Sequence, residues 1–228
     1  MLFTFIARLT DGMPLFQSVD ASRNENPKLI EEITLQAKTI LTSVDTRTET
    51  RSQIEAGSAS YCYSIHSDDN LWILVALTDK GYPRRLAFTY LDDVRAAFIS
   101  EIRAEKAAGM ANSSIDLADK PFAFMRFERS LVRIRKEYSD PTTTTNASRL
   151  KEELSDIRNI MRKNIAEVLD RGEKLEHVSK ISSKLVNESK KFKWGAKKLN
   201  ALDALQKALP YVVVFLGLAG IIYYRFFL

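Results

Sequence analysis

With 228 residues, 45% hydrophobic and 28% charged, the chain has room for one domain or two small ones, and its composition excludes a largely disordered or collagen-like polymer. One cysteine, Cys62, closes no internal disulfide, and beside two histidines it leaves too little material for a zinc site, so no metal or cofactor is expected. The formal net charge of +5 is mild, and its placement matters more than its sum.

The apolar opening, residues 2–7, lacks a basic flank and is soon interrupted by Arg8, too short a run for a secretory signal. The stretch Leu2 to Leu9, apolar on both alternating faces, reads as a strand covered on two sides. Asp11-Gly12 is a type I′ hairpin signal, and residues 14–19 return as the second strand. Asn26 and Pro27 read as the cap and first residue of a helix that carries Leu29, Ile30, Ile33, Ala37, Ile40, Leu41 and Val44 at helical spacing. A weak strand near 52–55 precedes two stronger ones, 60–67 and 71–78, joined by the polar turn Asp68-Asp69-Asn70.

Pro83 opens a second helix with Ala87, Leu91, Val94 and Phe98 on one face. A third follows Pro121, with Phe124, Phe127, Leu131, Ile134 and Tyr138 at steps of three and four. Residues 1–140 therefore predict an α+β domain, a five-stranded antiparallel sheet with three helices on its faces. It holds no phosphate loop, nucleophile elbow or metal-ligand spacing. His66, in a strand beside a polar turn, reads as a surface or packing residue, and Cys62, in an alternating strand, as a small buried side chain. The domain predicts a binding or folding module and not an enzyme.

Pro141 and the four threonines after it mark a hinge over 141–145. A heptad then runs without a slip from 146 to 200. Its seam is Ala147, Leu150, Leu154, Ile157, Met161, Asn164, Val168, Arg171, Leu175, Val178, Ser182, Leu185, Ser189, Phe192, Ala196 and Leu199, and twelve of these sixteen are apolar. As one helix the segment is ~80 Å long at 1.5 Å per residue, a stripe that a single small domain cannot cover, so it needs partner helices. Arg171 lies in that seam between the apolar layers Val168 and Leu175. A guanidinium buried there requires acceptors from the partners, and such a layer fixes register because a shift strands the charge.

Lys190, Lys191, Lys193, Lys197, Lys198 and Lys207 precede an almost uncharged run, 210–228. The run has the length of a membrane-spanning helix, with Pro210 in its first turn and Arg225 near the far headgroups. The lysines predict that everything before Pro210 faces the cytosol, with anionic lipid rather than nucleic acid as their partner. The expected arrangement is a single-span, tail-anchored protein with a juxtamembrane linker over 201–209.

At these residues the chain resembles a longin-type R-SNARE of the Sec22 family. The likeness is sharpest over Ile160-Met161-Arg162-Lys163-Asn164-Ile165-Ala166-Glu167-Val168-Leu169-Asp170-Arg171-Gly172-Glu173-Lys174-Leu175. It extends to Gly81-Tyr82-Pro83-Arg84-Arg85-Leu86-Ala87-Phe88, to Met1-Leu2-Phe3 and to Tyr223-Tyr224-Arg225-Phe226-Phe227-Leu228. The resemblance implies a longin, profilin-like fold and a coiled-coil SNARE helix. Arg171 then takes the central ionic layer against three glutamines from three Q-SNARE helices, with seven layers before it and eight after.

The resemblance also implies fusion of transport vesicles between endoplasmic reticulum and Golgi, residence in those membranes and the intermediate compartment, and recognition by the COPII coat. In Sec22 proteins an Asn-Ile-Glu segment folds back on the longin domain. The matching residues here are Asn164, Ile165 and Ala166, with Glu167 one place later and Ile165 as the anchor off the seam. The rival reading is a non-fusogenic tether or a coat-recruited cargo-selection module.

Overall fold

Strands apolar on both faces must be covered twice, and the order of elements supplies two covers. The computed structural model describes residues 1–20, 26–44, 50–57, 59–109, 114–151 and 160–172, all within one compact unit, Met1–Lys174. Its strands are β1 (Phe3–Arg8), β2 (Pro14–Val19), β3 (Arg51–Ala56), β4 (Ala59–His66), β5 (Leu71–Leu77) and β6 (Met161–Asn164). They form one sheet in the order β2-β1-β5-β4-β3-β6, antiparallel except that β6 runs parallel to β3.

Alternation along the strands separates the two cores. Ile6, Cys62, Ile73 and Val75 share a cluster with helix α2 (Arg84–Ala107) and helix α3 (Glu128–Glu137). On the other face Phe5 meets Trp72 edge-on, Tyr63 stacks on Trp72, and the Tyr61 hydroxyl donates to Gln36 Oε1 at 2.6 Å on helix α1 (Pro27–Ser43). As the sequence predicts, the Asn26 side chain caps α1, accepting from the Lys28 amide at 3.0 Å.

Two local expectations change. The β1–β2 connection is not a two-residue type I′ turn. It is a longer loop in which the Met13 carbonyl accepts from the Arg8 amide and the Gly12 amide donates back to Arg8, with Gly12 at φ +68°. The third helix does not start directly after Pro121. Phe122 and Phe124 first donate their amides to Pro14 and Leu15, closing the free edge of β2, and a 3₁₀ turn, Met125–Phe127, leads into α3.

The larger difference lies after residue 143. The heptad predicts one helix from 147 onward, but the free chain holds helix α4 (Thr144–Lys151), then strand β6, then helix α5 (Ile165–Gly172). The reason is a competing set of hydrogen bonds. The outer edge of β3 offers unpaired backbone groups, and Ser52, Gln53, Ile54 and Glu55 pair in register with Met161, Arg162, Lys163 and Asn164. Tertiary context overrides the helical pattern where such an edge is available.

Candidate functional site

The described part of the coiled-coil segment clasps the β3 edge from both sides. Before β6, Leu150 packs against the α2 cluster and Ile160 is buried within it at 7% exposure. After β6, α5 packs on α1, and Val168 is buried at 5% exposure. The chain thus passes from one face of the sheet to the other around its edge.

Two cations at the start of α2 hold the first side. No acid lies in that helix's first turn to satisfy its dipole. Arg84 Nη2 donates to the Ile160 carbonyl, and Arg85 Nη1 donates to the Leu150 carbonyl at 2.6 Å. Burial pulls the Arg84 pKa down, and Arg84 Nε with Arg85 Nε and Nη2 are buried without partners among the described residues. The docked carbonyls thus give these guanidiniums acceptors in the place where the segment shields them from water.

A second lock ties α4 to the end of α3. Asn146 is fully buried, and its Nδ2 donates to the carbonyls of Glu137 at 2.9 Å and Asp140 at 2.7 Å. Arg149 lies over the Tyr138 ring, 4.4 Å from its centroid, and reaches Asp93 at 3.5 Å. The Tyr138 hydroxyl in turn donates to Asp93, and Tyr82 donates to the Tyr138 carbonyl at 2.8 Å.

The predicted closed-form contacts are met by neighbouring residues more than by those named. Asn164 pairs through its backbone with Glu55, but its side chain is exposed and caps α5 by accepting from the Ala166 amide at 3.1 Å. Ile165 is half-buried. The apolar anchors are Ile160, which no seam position singles out, and Val168. Ala166 is exposed and contributes no buried contact.

Of the predicted layers, Leu150 and Val168 are engaged by the domain, whereas Met161 is 63% exposed on β6. Arg171 lies on α5. Leu154, Ile157, Leu175, Val178, Leu185, Phe192 and Leu199 lie outside the described residues, as does the run 210–228. Among the described residues no helix is long and apolar enough to cross a membrane, and no cluster of side chains is placed to hold a metal ion.

A longin (regulated-SNARE-like) family model matches residues 19–131, and a synaptobrevin model matches residues 146–226. Over 226 residues, 99% of this chain and 98% of the relative, it is 33% identical to the vesicle-trafficking protein SEC22b-B of Danio rerio. The chain belongs to the Sec22 family. It is likewise 32% identical to the 25.3 kDa vesicle transport protein SEC22-1 of Arabidopsis thaliana, over 93% of this chain and 92% of that one. Against the protein transport protein SEC22 of Saccharomyces cerevisiae it is 31% identical over 90% and 89% of the two chains. A Sec22-family chain is a SNARE of vesicle transport and not an enzyme. The five antiparallel strands and their helices are its longin domain.

Proposed function

We propose that this Sec22-family chain drives fusion of transport vesicles between endoplasmic reticulum and Golgi. Its segment 146–200 zippers with three Q-SNARE helices into a four-helix bundle, with Arg171 in the central layer. In this reading residues 210–228 anchor it in the membrane and everything before Pro210 faces the cytosol. The observation that carries the proposal is the unbroken heptad, whose one seam cation, Arg171, lies between apolar positions.

The clasp adds a control step. Met161 and Asn164 cannot be extended against β3 and helical in a bundle at once, and Leu150 and Val168 cannot face both the domain and partner helices. Docking and zippering are therefore mutually exclusive. Three docked apolar side chains, Leu150, Ile160 and Val168, compete with twelve apolar layers, so at about 25 cal/mol per Å² of buried apolar surface the bundle wins once partners are present. The closed and open chains also present different surfaces, since β6 extends the sheet and α5 covers α1 only in the closed one. A COPII coat that recognises the closed surface would load the chain with its motif sheltered.

The test mixes the full chain in detergent with the three Q-SNARE motifs and follows helix content and melting. The expected result is a four-chain complex with a large gain of helix, weakened in Arg171→Gln. An Arg171→Gln chain that assembles and melts like the parent rejects the ionic layer.

A further inference from the structure

The outward face of α3 carries a stripe of one sign. Its buried residues, Leu131, Ile134 and Tyr138, define the inner side, and Arg129, Arg133 and Lys136 fall on the opposite side at steps of four and three. All three are exposed, and Val132, 50% exposed, stands among them. None of the three cations has an ion-pair partner among the described residues, whereas Arg8, Arg51, Arg95 and Arg149 each have a carboxylate. The acids that bracket the stripe are engaged elsewhere. Glu128 accepts from Ser18 Oγ at 2.8 Å, and Glu137 lies 3.8 Å from Arg149.

The stripe is held rigidly. Buried Arg135 donates to Ser18 Oγ on β2, and Ser130 Oγ donates to Glu101 on α2 at 2.7 Å. Its ties to β2 place it at the sheet edge opposite β3, and its three cations are exposed while the segment is docked, with α4 meeting α3 at its C-terminal end through Glu137.

We propose that this face of α3 docks the longin domain on an anionic lipid bilayer. The proposal rests on the reading that residues 210–228 span a membrane, which keeps the domain beside a bilayer. The chemistry fits lipid better than an acidic peptide. The face is a convex helix surface rather than a groove, its two guanidiniums can each take a phosphate bidentately, and a valine among the cations can enter the headgroup boundary. Because the three cations are exposed while the segment is docked, docking would hold the domain against the membrane with the clasp closed.

The test places the full chain in nanodiscs of neutral phosphatidylcholine or of 30% phosphatidylserine, with Val132→Cys carrying an environment-sensitive fluorophore. The expected result is a blue shift and protection from aqueous quencher on the anionic discs only. Both should vanish at high salt and in the exposed-residue variant Arg129→Gln/Arg133→Gln/Lys136→Gln, whose melting should match the parent. The three substitutions should cost roughly a hundredfold in surface association, the weight of three basic groups near an anionic surface.

An equal shift on both discs, no shift on either, or a shift produced only by added poly-glutamate would overturn the proposal, the last in favour of an acidic protein partner. A chain that does not co-elute with discs rejects the membrane span instead. Co-sedimentation of that chain with phosphatidylserine vesicles, lost or kept in the triple variant, then still decides the surface.

Discussion

His66 ends β4 with its ring half-buried and Nε2 3.0 Å from Ser64 Oγ. Burial first, then the charges of Arg95 and Arg51, lower its pKa to about 4, against the pull of Asp69 and Asp68. In the unfolded chain the ring titrates near ~6.5. Between those two values the unfolded state binds a proton that the native state refuses, so this contribution to stability is complete above about pH 6.5 and is lost as the pH falls toward 4. The melting temperature should therefore drop between pH 7 and pH 5, and His66→Gln should reduce that drop; an undiminished drop in the variant removes His66 as its source. The sequence leaves His66 a surface or packing residue and the structure half-buries it, whereas the burial of Cys62 is readable in its alternating strand, and its thiol is pushed up to about 12 and stays protonated. The value at His66 is not readable, because Arg51 and Arg95 arrive from other elements. Ile160 is hidden for the same reason: in the heptad it is merely beside the seam, and only the α2 cluster gives it a role.

At the scale of elements, most of the longin domain follows from alternation, caps and breakers. Pro27 and Pro83 stand at the starts of α1 and α2, and the polar turn after His66 joins β4 to β5 with Asn70 at φ 55°. The strand β6 does not follow. Met161-Arg162-Lys163-Asn164 has little β preference and sits inside a helical repeat, so its conformation depends on the β3 edge. That dependence makes the clasp sensitive to its two apolar anchors. Ile160→Asp should undock the segment, since burying an unpaired carboxylate forfeits the ~1.5–3 kcal/mol of a buried isoleucine and adds a desolvation cost. Backbone hydrogen exchange over 160–172 should then rise by at least tenfold while β1, β4 and β5 stay protected. Ile165→Asp should act in the same direction more weakly, and Ala166→Glu should leave exchange nearly unchanged because that position faces solvent. Undocking by Ala166→Glu with no effect of Ile160→Asp would invert the assignment of anchors.

Across the whole molecule, the proposed function asks the same 146–200 segment to serve two incompatible partners, its own longin domain and the three helices of a bundle. The sequence makes the second visible through a long-range repeat and leaves the first nearly silent, because the clasp rests on a few contacts whose partners lie about a hundred residues away. What separates a fusion protein from a tether is how the energy of zippering reaches the membrane. A tether needs only that the coil forms, so a slack connection beyond it is harmless. Fusion needs the coil to pull on the span, and residues 201–209 contain neither Gly nor Pro, so a helix can continue through them stiffly. A twelve-residue Gly/Ser insert after Asn200 has a root-mean-square span of about 20 Å and transmits force only when stretched. Because the insert lies beyond both the clasp and the last seam layer, Leu199, clasp protection and bundle melting should match the parent. Lipid mixing between liposomes carrying this chain and liposomes carrying the Q-SNARE set should nonetheless fall at least tenfold, while liposome clustering persists. Lipid mixing at the parental rate would show that the coil does not pull on the span, and the tether would then be the better account of the same residues.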